Sequence, residues 1–322
     1  MTITPVLICI DVEPDVREVD VDARADWEGF EESFRLFERL RPRAETAAGA
    51  AARFNWFLRM DPQVALAYGS AGWAAERYGA RLETLRGAGD EIGLHTHAWR
   101  SVGGRWVTDH GDQEWVNHCV SLSFESYERA FGRPCSSFRF GDHWMNNETL
   151  ELVERLGGRY DLTLEPGQRA ASSLPNGGTY NGAFPDCARV PRAPYRPSRR
   201  DFRRPCAGDG GRGLWAIPVS TAQLPPWPAA TLFRRAFWRV KYGRRDYAHL
   251  SLALDPPHFR QSVGEVIDGV ASPYLCVVMR TDMAARGETA LRLRANVEFL
   301  LTLLAAGRVE LTTPEGLAAG LS

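Results

Sequence analysis

The sequence predicts an α/β protein built on a parallel sheet, either open or closed into a barrel. Three observations carry that prediction. Apolar runs of strand length recur along the chain, helical patterns fall between them, and most of the runs end in charged residues. Strand–helix alternation is the mark of a parallel sheet, whose chemistry collects at the strands' carboxyl ends. With 322 residues the chain can form one large barrel or two modest domains.

The elements follow in order. "PVLICID" (5–11) reads as a buried first strand and "ARFNWFLRMD" (52–61) as a second. A helix over Ala71–Ala88 leads into a third strand, "DEIGLHTH" (90–97). Gln113–Phe131 reads as the helix before a fourth, "SSFRFGD" (136–142), and Asn147–Leu156 as the helix after it. "RYDLTLEPG" (159–167), "GLWAIPVST" (213–221), "SPYLCVVMRTD" (272–282) and "GRVELTT" (307–313) continue the strand series, with an amphipathic helix over Glu288–Ala306. Residues 166–212 break the rhythm. They are rich in Gly, Pro, Arg and Ser, and a loop that long inside a domain is read as an insertion over the barrel mouth.

Composition removes several function classes. The net charge of −1 offers no global field for nucleic acid or anionic membranes. No C-x-x-C pair occurs among the six cysteines, and Cys9 and Cys276, inside apolar runs, are expected to be inert buried thiols. No run is long enough to span a bilayer, and "PVLICI" is too short for a signal-peptide core, so a cytoplasmic protein is expected. Neither a G-x-G-x-x-G after a strand nor a P-loop pattern is present. "TLFRRAFWRVKYGRR" (231–245) reads as an amphipathic helix. Its alternative is a cationic surface for peripheral contact with a phosphate-bearing or lipid-linked substrate.

The strand ends carry the candidate chemistry. They read Asp11/Glu13, Arg59/Asp61, His95/His97, Arg139/Asp142, Glu165 and Arg280/Asp282. In extended backbone, side chains at i and i+2 share a face, so His95 and His97 can meet one point, as can Asp11 and Glu13. Two imidazoles and one carboxylate suit zinc or another divalent first-row ion with a position left open, and the remaining carboxylate suits a general base.

On these residues the chain resembles the polysaccharide deacetylase superfamily (the NodB-homology, carbohydrate esterase family 4-like group). The resemblance rests on D-x-E at the first strand, "EIGLHTH" at the third and "FRFGDHW" at the fourth, with "WFLRMD" and the closing "VELTTPEGLA" in support. It implies a single domain over 1–322: a distorted (β/α)7-type barrel with parallel strands, helices outside and the insertion at about 166–212. It also implies hydrolysis of N-acetyl and related amides by metal-activated water. Asp11 would be the base, Arg139 the residue that orients it, and Glu13, His95 and His97 the ligands of one divalent ion, zinc by expectation. Two departures stand out. The usual second histidine, four residues after the first, is Trp99 here, so His97 takes its place. The late histidine acid is replaced by the run Arg280, Thr281, Asp282. His143, next to the arginine motif, is the substitute acid favoured at this point, ahead of Asp282, Glu165 or Asp11 acting twice. Arg59, Asp61, Asp142, Glu165, Arg280 and Asp282 are expected to line the substrate pocket; the alternative is that Arg59/Asp61 and Arg280/Asp282 are two ion pairs closing strand ends and Glu165 a loop acid before Pro166. His110 and His118 are expected on a solvated loop and helix, and His249 and His258 show no partner. The function expected is N-deacetylation of a small or carrier-linked N-acetyl amino sugar. The alternatives are a formamide or cyclic-ureide hydrolase on the same fold, or a silent sugar-binding barrel.

Overall fold

The computed structural model describes residues 3–19, 26–174, 178–223, 247–269 and 273–321. The segment 231–245 lies outside them.

The chain opens with β1 (Thr4–Val12), and α1 (Glu28–Ala48) leads to β2 (Asn55–Arg59). Next come α2 (Pro62–Tyr68), α3 (Trp73–Arg77), α4 (Gly79–Gly87) and β3 (Glu91–Thr96). A hairpin of β4 (Trp99–Val102) and β5 (Arg105–Asp109) precedes α5 (Gln113–Phe131), β6 (Ser137–Phe140) and α6 (Asn147–Arg155). Four short strands follow: β7 (Tyr160–Asp161), β8 (Tyr180–Asn181), β9 (Trp215–Ala216) and β10 (Thr221–Gln223). The chain closes with β11 (Tyr247–His249), α7 (Pro256–Gly269), β12 (Leu275–Arg280), α8 (Gly287–Ala305), β13 (Val309–Leu311) and α9 (Pro314–Ala319).

Seven parallel strands in the order β12-β1-β2-β3-β6-β7-β9 curl into a half-barrel with helices outside, and β13 pairs the start of β1. This is the parallel α/β sheet that the sequence pattern predicts, in the distorted barrel form that the family resemblance implies. Beyond β9, Pro218 has no amide to donate, so the ladder cannot continue. Single bonds carry the chain on instead: Val219 N–H to Leu164 O, and Ser220 N–H to Cys276 O on β12. The strands expected over 159–167 and 213–221 are therefore much shorter ladders than their apolar runs suggest.

Period-two alternation sorts the core. Val6, Ile8, Ile10 and Val12 join the large cluster that includes apolar residues of α1 and α8, whereas Leu7 and Cys9 join a second cluster with Phe57, Leu162, Ile217 and Cys276. The second cluster fills the barrel interior, and Cys9 and Cys276 are buried free thiols within it.

The helix expected over Ala71–Ala88 is two helices. Tyr78 breaks it: its hydroxyl accepts from Trp27 N, and its ring packs 4.6 Å from that of Phe30. The hairpin was not expected. Its turn, Gly103–Gly104, has φ of 58° and 75°, the left-handed pair that a tight two-residue hairpin requires. The 166–212 segment adds β8 alongside β5 and buries Phe184, Cys187, Val190, Tyr195 and Phe202 in the main core.

His110, expected on a solvated loop, is buried. It stacks on Trp144 at 4.6 Å, and its Nδ1 lies 3.2 Å from the Tyr180 hydroxyl. Burial pushes its pKa down to about 3. The unfolded imidazole titrates near 6.5, so the unfolded state binds the extra proton below that pH. The stabilising contribution is complete above about pH 6.5 and is lost as pH falls toward 3. Between pH 7 and 5 the wild type should lose roughly 2 kcal/mol through this group alone. Denaturant midpoints at both pH values check this, because His110→Phe should show a smaller drop. An equal drop in both proteins would remove His110 as the cause.

Candidate metal centre

The interior faces of β1, β2 and β12 change from apolar to charged as these strands near their carboxyl ends. On β1 the series Leu7, Cys9 continues as Asp11 and Glu13; on β2 Phe57 is followed by Arg59; on β12 Cys276 and Val278 are followed by Arg280. Register brings these ends level: Asp11 pairs Arg280, Arg59 pairs His95, and His95 pairs Arg139. A charged layer thus caps the apolar barrel interior and forms part of the wall of a cavity of about 630 Å³.

Glu13, His95 and His97, all buried, converge there, with ligand atoms within 4.8 Å of one another. His95 Nε2 is 3.0 Å from His97 Nε2, which is 3.6 Å from Glu13 Oε2. Donors about 2.1 Å from a tetrahedral ion sit roughly 3.4 Å apart, so these spacings bracket a metal's. The donor chemistry also fits. His97 Nδ1 lies 3.0 Å from Asp142 Oδ2 and 3.0 Å from Trp99 Nε1. The Asp142 carboxylate, ion-paired with Arg17, can only accept and the Trp99 indole can only donate, so the two contacts call for opposite tautomers; with the proton on Nδ1 toward Asp142, Nε2 keeps its lone pair for a ligand. Burial, then Arg59, hold the His97 imidazole neutral, as ligation requires, and burial does the same for His95. His95 Nδ1 is buried without a hydrogen-bond partner among the described residues, 3.8 Å from Asp11 Oδ1. Burial raises the Glu13 pKa, but Arg280 and His97 more than offset that and hold it well below the carboxylate range.

Two glycines allow this packing. A Cβ on Gly141 would collide with the His97 ring, and one on Gly93 with Ser137 O and the Phe57 ring. After Gly141, Asp142 and His143 both lie in the left-handed region, at φ 57° and 54°. Such backbone costs of order 1–3 kcal/mol per residue and is held only where the surroundings over-determine it. Here it sends Asp142 toward His97 and His143 toward Glu165.

Asp11 faces the same cavity. Its Oδ1 accepts from Arg139 Nε at 2.8 Å, and Arg139 Nη1 is anchored on Leu162 O at 2.7 Å. Across the cavity His143 Nε2 is 3.8 Å from Glu165 Oε2, and His249 Nδ1 is 3.5 Å from Glu165 Oε1.

Not every expected pocket residue reaches the cavity. Asp142, Glu165 and Arg280 do. Arg59 and Asp61 have fully buried side chains, paired Nε to Oδ2 at 2.7 Å, and Asp61 also caps α2 and accepts from His97 N. Asp282 is buried against Arg280 and Arg286. These three are supports, not lining. His143, favoured as the acid, is pushed by burial down to about 3 and stays a neutral imidazole near neutral pH. His249, read without a partner, stands with its ring centroid 5.0 Å from that of His143. The sequence signal for it was weak: one histidine before "LSLALDPP", on a strand of three residues. His118 is exposed as expected, and His258 pairs Asp255 at 3.6 Å on the surface.

No family model and no curated protein matches the sequence. Solved structures do match. A protein from Parabacteroides distasonis, described provisionally as a glycoside hydrolase/deacetylase, aligns over 99% of this chain and 72% of its own, with 14% identity and a TM-score of 0.58. Puue allantoinase aligns over 98% and 89%, with 13% identity and a TM-score of 0.50. A provisional polysaccharide deacetylase from Mycobacterium smegmatis aligns over 99% and 91%, with 16% identity and a TM-score of 0.49. A 4-alpha-glucanotransferase from Thermococcus litoralis also matches, with 10% identity and a TM-score of 0.51. At these identities the likeness is one of fold.

Proposed function

We propose that this protein is a metal-dependent hydrolase of an amide C–N bond, acting on an N-acetyl amino sugar that is small or carrier-linked. One observation carries the reading. Two neutral imidazoles and a carboxylate converge in a cavity beside a second carboxylate, Asp11, held by the buried Arg139. A divalent first-row ion at Glu13, His95 and His97 would supply Lewis-acid polarisation of the acyl carbonyl and acidify water. Asp11 takes the proton from the attacking water, and Arg139 fixes which oxygen faces the reaction. His143 is a neutral imidazole with no second proton to give the leaving nitrogen, so Asp11, having gained one, returns it as the C–N bond breaks. Arg280 and Arg17, both on the cavity wall, place positive charge where an acyl oxygen or an anionic carrier group would lie. The cavity volume is within the range for small-molecule sites. Deacetylase and allantoinase among the fold neighbours are both consistent with amide hydrolysis.

A second reading is a silent sugar-binding barrel. It is favoured by Arg280 Nε, 2.7 Å from Glu13 Oε1, and Arg59 Nη1, 3.4 Å from Oε2, which together already neutralise Glu13. The test combines elemental analysis of protein purified without chelator with acetate release from a panel of N-acetyl sugars, a formamide and a cyclic ureide alongside. His95→Ala should lose one metal equivalent and all acetate release. No cleavage of any amide, with metal content unchanged by His95→Ala, would leave the silent barrel.

A further inference from the structure

We propose that His143, Glu165 and His249 form a second divalent-cation centre in the wall of the same cavity, suited to a first-row ion of the zinc type. The three residues come from separate places: the turn after β6, the extended chain after β7, and β11. Their ligand atoms all lie within 4.8 Å of one another. The separations from Glu165, 3.8 Å to His143 Nε2 and 3.5 Å to His249 Nδ1, are slightly wider than the roughly 3.4 Å between two ligands of a tetrahedral ion. They are too long for good hydrogen bonds. A cation between the three groups can be reached by all of them after small side-chain movements.

The proton positions agree. His143 Nδ1 lies 3.4 Å from Thr163 O, which can only accept. Nδ1 therefore carries the proton, and Nε2 presents its lone pair toward Glu165, the arrangement of a metal-ligating histidine backed by a carbonyl. Burial keeps this imidazole neutral. His249 Nδ1 is buried with no hydrogen-bond partner among the described residues and faces the Glu165 carboxylate. The strained pair Asp142–His143 gives the backbone a reason to be as it is, because one reversal aims its first side chain at His97 and its second at Glu165. None of the three residues is used by the hydrolytic mechanism, and this centre does not rest on the first.

The test is stoichiometry. Protein stripped with chelator is loaded with zinc chloride, freed of excess and measured by elemental analysis. The wild type should hold two equivalents per chain, His249→Ala one, His95→Ala one, and the double variant none. Glu165→Gln, which keeps side-chain volume, should match His249→Ala and replaces it if that variant does not fold. One equivalent in the wild type, retained in His249→Ala or Glu165→Gln, overturns the second centre. So does one equivalent in the wild type with none in His95→Ala. One equivalent lost in His249→Ala but kept in His95→Ala supports it and overturns the first centre instead.

Discussion

Asp11→Asn should lower kcat by about 10²–10⁴-fold, the range for removal of a general base, while metal content stays at the wild-type level. Asparagine has the shape of aspartate, and its carbonyl oxygen can still accept from Arg139 Nε, so the geometry around Arg139 is kept. It cannot take a proton from water or return one to nitrogen. Glu13→Gln is the informative partner. It should lose metal first and activity as a consequence, because an amide is a poor substitute for a carboxylate among metal ligands. Reading kcat and metal content for both variants separates base from ligand. Arg139 is buried, and Asp11→Asn removes its counter-charge, so a melting curve must accompany the kinetics. Wild-type kcat in folded, metal-loaded Asp11→Asn would remove Asp11 from the mechanism. If Asp11→Asn lost its metal while Glu13→Gln kept it, the two carboxylates would exchange roles.

The residues that were legible from sequence are those governed by local periodicity. The i, i+2 rule placed His95 with His97 because His97 directly follows the strand that carries His95, and the series Leu7, Cys9, Asp11, Glu13 alternates as extended backbone must. Gln113–Phe131 was recovered to the residue because Asp112 caps it and Gly132 stops it in the left-handed region. What was missed depends on partners distant in the chain. Nothing near His249 in sequence announces Glu165 or His143, which approach it only because the barrel bends round to bring β11 alongside β10 and against the 165 region. For Arg59 the sequence offers two readings, a pocket residue or an ion pair with Asp61 closing the strand end; the fold shows the pair and adds the distant Glu13, with Gln63, closing over it. α1 was not read at all, although Phe30, Phe37, Leu40 and Ala44 fall on one face, because Pro42 inside it argues against a helix. Gly103–Gly104 between "WRSV" and "RWVTD" was a usable hairpin signal that went unused.

Arg59→Met should carry the largest cost to stability, about 3–5 kcal/mol, out of a total of roughly 5–15 kcal/mol for a typical domain. The guanidinium has no exposed surface and meets three groups at once: Nε on Asp61, Nη1 on Glu13 and Nη2 on Gln63. Methionine fills much of the volume, so the loss is one of charge and hydrogen bonds more than of packing. It leaves Asp61 buried with only backbone donors, at Gln63, Val64 and His97. It also leaves Glu13 with Arg280 as its remaining arginine partner. Arg59→Lys should be less damaging, because it keeps the charge but cannot span the fork. The metal reading adds a feature that a purely structural arginine would lack. An ion at Glu13, His95 and His97 compensates the Glu13 charge, so zinc should raise the midpoint of Arg59→Met by more than it raises that of the wild type. Denaturant titrations of the three proteins, each with chelator and with zinc, measure both effects. Arg59→Met within about 0.5 kcal/mol of wild type would mean that the buried network is not what holds this end of the barrel. A full loss with no recovery in zinc would keep Arg59 as a structural support and weigh against metal at Glu13.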